Sequence, residues 1–253
     1  MNLRCLIEML VSFEIYSKWK FRFFLADARD DPSRFKPSFS SSGLRSVSKL
    51  LSLCLSILIS ILFFYCKLKK SEITFSTASK FKKICDDIGI EFFCSAFYPE
   101  AVNFLKSINV KRYKIASRTC LLKDPYSLET LQEKALTKKP VIISMGMGGN
   151  RKKIENIFSK NQKIFCYCIS EYPTDMSKID WKDAIKFDGF SDHTLGIIAS
   201  IIFAVLKKQQ KSKNILIEKH VKLNNSRGPD ASSSIDTEEL SELVKKIHQI
   251  EKL

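Results

Sequence analysis

Phe190–Gly196 reads FSDHTLG, Ile217–His220 reads IEKH, and Gly228-Pro229-Asp230 follows shortly after. Each of the first two segments puts a histidine, His193 or His220, at the end of a short strand-like run. In a parallel α/β barrel the strand C-termini converge on one mouth, so residues ending successive runs are brought to one place. The pair of histidines therefore favours a barrel over an antiparallel sheet, in which successive strand ends lie on opposite sides.

The same rhythm extends outward from these segments, with helical patterns alternating with short β-rich runs as a parallel sheet requires. Helical spacing is read over Thr77–Asp87, Pro99–Ser107, Ser127–Thr137, Lys152–Phe158, Lys178–Ala184, Thr194–Lys207 and Thr237–Lys252. Strands are expected at Glu91–Ser95, Tyr113–Ser117, Pro140–Ser144, Ile164–Ile169, Phe187–Ser191 and Ile215–Lys219. The expected fold is α/β, a TIM (β/α)8-type barrel that is incomplete, with six parallel strands and helices outside.

Residues 1–70 read differently, and the chain divides into this segment and a barrel domain over residues 71–253. Asp27–Ser42 is polar, with Pro32, Pro37 and a serine cluster, and no period persists across the segment, so poor order is expected there. Leu50–Cys66 then runs for 17 residues without a charge, a candidate membrane helix at the short end of what spans a bilayer. Cationic residues flank both of its ends, which leaves orientation undecided. A cytoplasmic protein and one anchored through residues 50–66 are the two expectations.

The net charge of +15 invites a nucleic-acid reading, but the lysines are scattered rather than grouped with aromatics on one face. No nucleic-acid partner is expected, while an anionic substrate fits. The eight cysteines lack the spacing of a small secreted scaffold and several sit in apolar runs, which points to buried thiols in a reducing compartment. Cys166 and Cys168 share a strand face, yet no second pair completes a zinc site.

The polar residues that end the expected strands are Ser95, Ser117, Ser144, Ser170, Ser191 with His193, and His220, with Lys114 inside its strand. Small hydroxyls around a lysine suit a phosphate or carboxylate, since each anionic oxygen takes a hydrogen bond without crowding. Serine at a strand end is also an ordinary turn residue. Adjacent strands lie about 4.8 Å apart, which would bring His193 and His220 to one divalent ion, Mn²⁺ or Mg²⁺, acting as a Lewis acid on a carbonyl. The residues are equally compatible with His193 bonding Asp192 or a backbone group and His220 capping a strand. His248 belongs to the last, charged helix and is read as surface.

Over about Thr77 to Leu253 the chain resembles the sialic acid synthase family, the N-acetylneuraminate synthases and their legionaminate and pseudaminate relatives. The resemblance rests on FCSAF at Phe93–Phe97, YKIAS at Tyr113–Ser117, KPVIISMGM at Lys139–Met147, CISEYPT at Cys168–Thr174, SDHTLG, IEKH and GPD, in that order. It implies a transferase of carbohydrate biosynthesis that condenses phosphoenolpyruvate with an N-acetylated amino sugar, such as N-acetylmannosamine. It further implies that Ser95, Lys114, Ser117, Ser144 and Ser191 hold phosphoenolpyruvate. His193 and His220 would ligate the metal and Tyr172 and Asp230 would face the sugar, and a homodimer is compatible with the family.

The departures are Ser95 and Ala96 in place of threonine and proline, Met145 in place of threonine, and Ala231 in place of histidine. Residues 1–70 do not resemble the family's first two strands, which carry a catalytic glutamate and a further phosphate-binding lysine, and no antifreeze-like domain follows the last helix. No catalytic residue is therefore assigned. Whether a carboxylate and a second phosphate-binding lysine or arginine reach the barrel mouth from outside the matched stretch decides between turnover and its loss, and Glu72 and Lys70 are the nearest candidates. Two readings follow: a phosphoenolpyruvate-dependent synthase, or a catalytically inactive, membrane-tethered barrel that keeps the anion and metal pocket.

Overall fold

The structure, a computed structural model, describes residues 73–212, 215–223 and 230–253. The elements in chain order are α1 (Phe75–Asp87), α2 (Pro99–Ser107), β1 (Tyr113–Ile115), α3 (Ser127–Leu136), β2 (Val141–Ser144) and α4 (Arg151–Ile157). They continue as β3 (Lys163–Cys168), α5 (Trp181–Ala184), β4 (Gly189–Asp192), α6 (Ile198–Gln209), β5 (Leu216–Lys219) and α7 (Thr237–Glu251). Among the described residues the five strands form one sheet in the order β1-β2-β3-β4-β5, and every pairing is parallel. Sequential parallel strands with a helix after each are the arrangement of a half barrel.

The expected count of six strands is corrected to five. Glu91–Ser95 joins the sheet only through a single parallel bridge, Ser95 to Lys114. Side-chain donors hold that junction in place of a ladder. Lys134 on α3, wholly buried, donates from Nζ to the carbonyls of Ala96 at 2.9 Å and Lys114 at 3.1 Å. Arg112 forks onto Glu91 at 2.8 and 2.9 Å.

Period-two alternation sorts each strand into two faces. Outward residues of β4 and β5, Phe190 and Ile217, pack with Phe203 of α6 and with Leu243 and Ile247 of α7 in one buried apolar cluster. Phe93, Ile142, Cys166 and Leu216 form a second cluster. Gly189 in β4 is required by its neighbours, because a Cβ there would lie 2.7 Å from Cys166 Sγ and 3.2 Å from Leu216. Asp236 and Glu239 close α7 with a reciprocal capping box, which satisfies backbone donors that its first turn leaves open.

Two helix starts also differ from expectation. Helix α6 begins at Ile198 instead of Thr194, because Asp192 captures the Thr194 N–H and hydroxyl, both at 2.8 Å, and Gly196 turns the chain at φ +63°. The Lys178–Ala184 stretch splits into a 3-10 turn at Met176–Lys178 and the short α5. Among the described residues no helix is long and apolar enough to cross a membrane, and Leu50–Cys66 lies outside them.

Candidate active site

Inward residues of four strands meet in one buried polar network, in which Ser191 and Glu218 are register partners while Lys114 and Ser144 come from strands whose register sets them opposite Ile142 and Cys166. Lys114 of β1 donates from Nζ to Ser144 Oγ of β2 at 2.6 Å and lies 3.2 Å from Glu218 Oε2 of β5. Ser191 of β4 donates to the same Glu218 oxygen at 2.5 Å and lies 2.7 Å from Ser144 Oγ. Lys114, Ser144, Ser191 and Glu218 are all buried.

Charge and burial compete at this pair. Burial pushes the Lys114 ammonium down, but the Glu218 carboxylate outweighs it and raises the lysine overall. Burial likewise pushes Glu218 up, and Lys114 with the Ser191 hydroxyl reverses this and holds the carboxyl below its usual range. Both shifts favour a lysine cation facing a carboxylate anion.

Glu218 supplies a buried carboxylate from within the matched stretch. The signal was present in IEKH: with His220 facing inward, an alternating strand places Glu218 inward too. Glu72 and Lys70, the nearest outside candidates for a carboxylate and a second cation, lie outside the described residues, as do Gly228 and Pro229.

The two histidines stand just past the ends of β4 and β5, with ring centroids 5.2 Å apart. His193 donates from Nδ1 to the Ile169 carbonyl at 2.7 Å, which in the neutral ring leaves Nε2 as the free lone pair. Burial lowers its pKa, although the Ile169 bond opposes this, so the neutral, ligating form is favoured. Tyr172 covers both rings, at 4.2 Å from His193 and 5.8 Å from His220, while remaining 45% exposed. Asp230 Oδ2 lies 3.8 Å from His220 Nδ1.

Ser117 accepts from the Gly146 N–H at 3.0 Å and donates to Cys168 Sγ at 3.7 Å. Gly146 has to be glycine for this approach, since a Cβ would sit 2.7 Å from both Cys168 Sγ and Ser170 Oγ. Burial pushes the Cys168 thiol up, so it is a poor nucleophile and a poor metal ligand as placed. Ser95 is the backbone bridge partner of Lys114. His248 is exposed and pairs with Glu251 at 2.8 Å, away from these residues.

Among the described residues no group of three or more His, Cys, Asp or Glu side chains is disposed to hold a metal ion. Two imidazoles with one free lone pair each would suit a divalent ion whose other positions are taken by substrate oxygens or water. The donor set thus fits an open site better than a closed structural one.

The profile of the NeuB family matches residues 64–253. An uncharacterized protein of Methanocaldococcus jannaschii is 34% identical over 204 residues, covering 75% of this chain and 57% of that protein. N,N'-diacetyllegionaminic acid synthase of Campylobacter jejuni is 34% identical over 178 residues, covering 64% of this chain and 50% of the synthase. The chain thus spans about half the length of the curated relatives it matches. Among solved structures, the N-acetylneuraminic acid (sialic acid) synthetase of Leptospira borgpetersenii, in complex with citrate, superposes with a TM-score of 0.64. That match is at 25% identity and covers 74% of this chain and 66% of the synthetase.

Proposed function

The chain belongs to the NeuB family, whose profile spans three quarters of it, and from that membership we propose that its half barrel serves nonulosonic acid synthesis, binding phosphoenolpyruvate and an N-acetylated amino sugar. The observation that carries the reading is the Lys114–Ser144–Ser191–Glu218 network, whose Ser191 and Glu218 stand two residues before the paired imidazoles on the same strands. It supports a phosphate- or carboxylate-bearing substrate because a buried ammonium ringed by hydroxyls offers charge-assisted bonds to several oxygens at once.

In this reading Lys114, Ser144 and Ser191 exchange their bonds to Glu218 for bonds to phosphoenolpyruvate, with Ser95 and Ser117 completing the rim. Glu218, released from Lys114 and Ser191 beside the substrate anion, is then the more basic group, able to orient water or to take its proton when water adds at C2 of phosphoenolpyruvate. Tyr172 and Asp230 stand where the sugar would enter, beside the histidines. His193 and His220 would hold the divalent cation, Mn²⁺ or Mg²⁺, which when bound polarises the sugar aldehyde for attack by C3 of phosphoenolpyruvate.

The test is calorimetry and turnover of the full chain with phosphoenolpyruvate and Mn²⁺, using N-acetylmannosamine and diacetylated amino sugars as acceptors. Saturable phosphoenolpyruvate binding that Lys114→Ala abolishes, with phosphate released only when an acceptor is present, is the expected result. Phosphoenolpyruvate binding unaffected by Lys114→Ala would overturn it.

A further inference from the structure

The outer face of the β4–β5 pair carries a second buried ion pair that no step above uses. Asp192 and Lys219 are register partners across the two strands. Their side chains are 0% and 3% exposed, and Lys219 Nζ lies 3.3 Å from Asp192 Oδ1. Asp192 Oδ1 also accepts from the Thr194 N–H and hydroxyl at 2.8 Å each, and Oδ2 accepts from Ser200 Oγ of α6 at 2.6 Å. Lys219 Nζ donates to the Thr194 carbonyl at 2.5 Å.

Each partner directly precedes one of the histidines. Asp192 fixes Thr194 from the donor side and Lys219 fixes the same residue from the acceptor side, so the backbone on both sides of His193 is tied to the residue before His220. A one-residue slip between the strands would set Asp192 against Glu218 or His220, and both bonds through Thr194 would be lost. Stability does not account for the arrangement, because a well-packed apolar pair of similar volume is commonly as stable as a buried ion pair or more so.

We propose that Asp192 and Lys219 are positioning residues that hold His193 and His220 at a common level, side by side at the ends of adjacent strands. The role rests on the reading of those histidines as a paired site. It is exerted through backbone and register, since neither side chain faces the mouth.

The test compares wild type, Lys219→Met and Asp192→Asn with Ile154→Val, a destabilising control in α4 away from both strands, in the full chain. Nitrogen-15 spectra of the imidazoles read the site directly, the chain having only three histidines. The expected result is a single neutral Nδ1–H form of His193 in wild type and in Ile154→Val, replaced by averaged or mixed tautomers in Lys219→Met and Asp192→Asn. Mn²⁺ titration should show affinity lowered about 10–100-fold in those two variants and unchanged in the control, the range typical for groups that orient metal ligands.

Wild-type-like imidazole signals in folded Lys219→Met would overturn the proposal, as would equal losses in Ile154→Val. If wild type fails to bind Mn²⁺, the metal reading falls, and the imidazole spectra still decide the positioning role.

Discussion

The two ends of the sheet are held by different means. At the β4–β5 end four register pairs run in sequence, with a buried ion pair outside, a polar network inside and two helices packed over Phe190 and Ile217. At the β1 end the preceding run makes a single bridge, and Lys134 and Arg112 reach over to fasten it. A ladder fixes register by repetition, whereas side-chain tethers fix it only at the points they touch. The site straddles both kinds of support, since Lys114 belongs to the tethered end and Glu218, His193 and His220 to the laddered one.

The Lys114–Glu218 bond joins the two ends, so the largest effect is expected from cutting it. Lys114→Met leaves Glu218 buried without its partner and should cost about 3–5 kcal/mol of stability by urea unfolding. Lys114→Met combined with Glu218→Gln should recover most of that loss, because no unpaired charge remains. A single variant as stable as wild type would mean that the two ends are not coupled through this pair.

The second effect separates ligand binding from stability. Loss of a charge-assisted contact costs about 1.5–3 kcal/mol and loss of a neutral one about 0.5–1.5. Lys114→Ala should therefore weaken phosphoenolpyruvate binding more than Ser117→Ala, by calorimetry on protein verified as folded. Equal losses would place the anion nearer the Ser117–Gly146 turn than the Lys114 network.

What could be read from the sequence follows the same division. FSDHTLG and IEKH were legible because strand alternation and the convergence of parallel strand ends are local rules, and the two rings do meet. Glu91–Ser95 reads as a strand because its residues suit one, but the Ala96 carbonyl just past its end is taken by Lys134 of a helix 38 residues along the chain. That contact leaves no local pattern. The start of α6 was misplaced because Asp192 competes for the Thr194 N–H, a tertiary capture that helical spacing does not report. Glu218 was legible in principle, two residues before an inward histidine, yet was read only as part of a motif.

Each end also buries a base, which gives two smaller, pH-dependent effects. Lys134, fully buried at the β1 end, is lowered by burial to about 7. Its folded value lies below its unfolded one, so between pH 7 and about 10 the unfolded chain binds more protons and stability should rise with pH. The slope from this group cannot exceed about 1.4 kcal/mol per pH unit. Thermal melts from pH 7 to 9 should show that rise in wild type and a flatter profile in Lys134→Met. Parallel profiles would mean that Lys134 stays charged in the folded chain and that the β1 tether is ionic throughout.

At the other end His193 is lowered by burial, and Tyr172 lies against its ring, tilted by 34° with centroids 4.2 Å apart. Burial disfavours the imidazolium, so the His193 ring should stay neutral below the ordinary histidine value of about 6.5 and protonate only as pH drops through the lowered one. Tyr172→Ala admits water to the ring and should move the midpoint of His193 protonation upward, toward the ordinary value. Nitrogen-15 titrations of the imidazole from pH 5 to 7.5 measure the shift. A midpoint that Tyr172→Ala leaves unchanged would assign the burial of His193 to the strand end itself, and the laddered half of the site would then be fully formed before any residue closes over it.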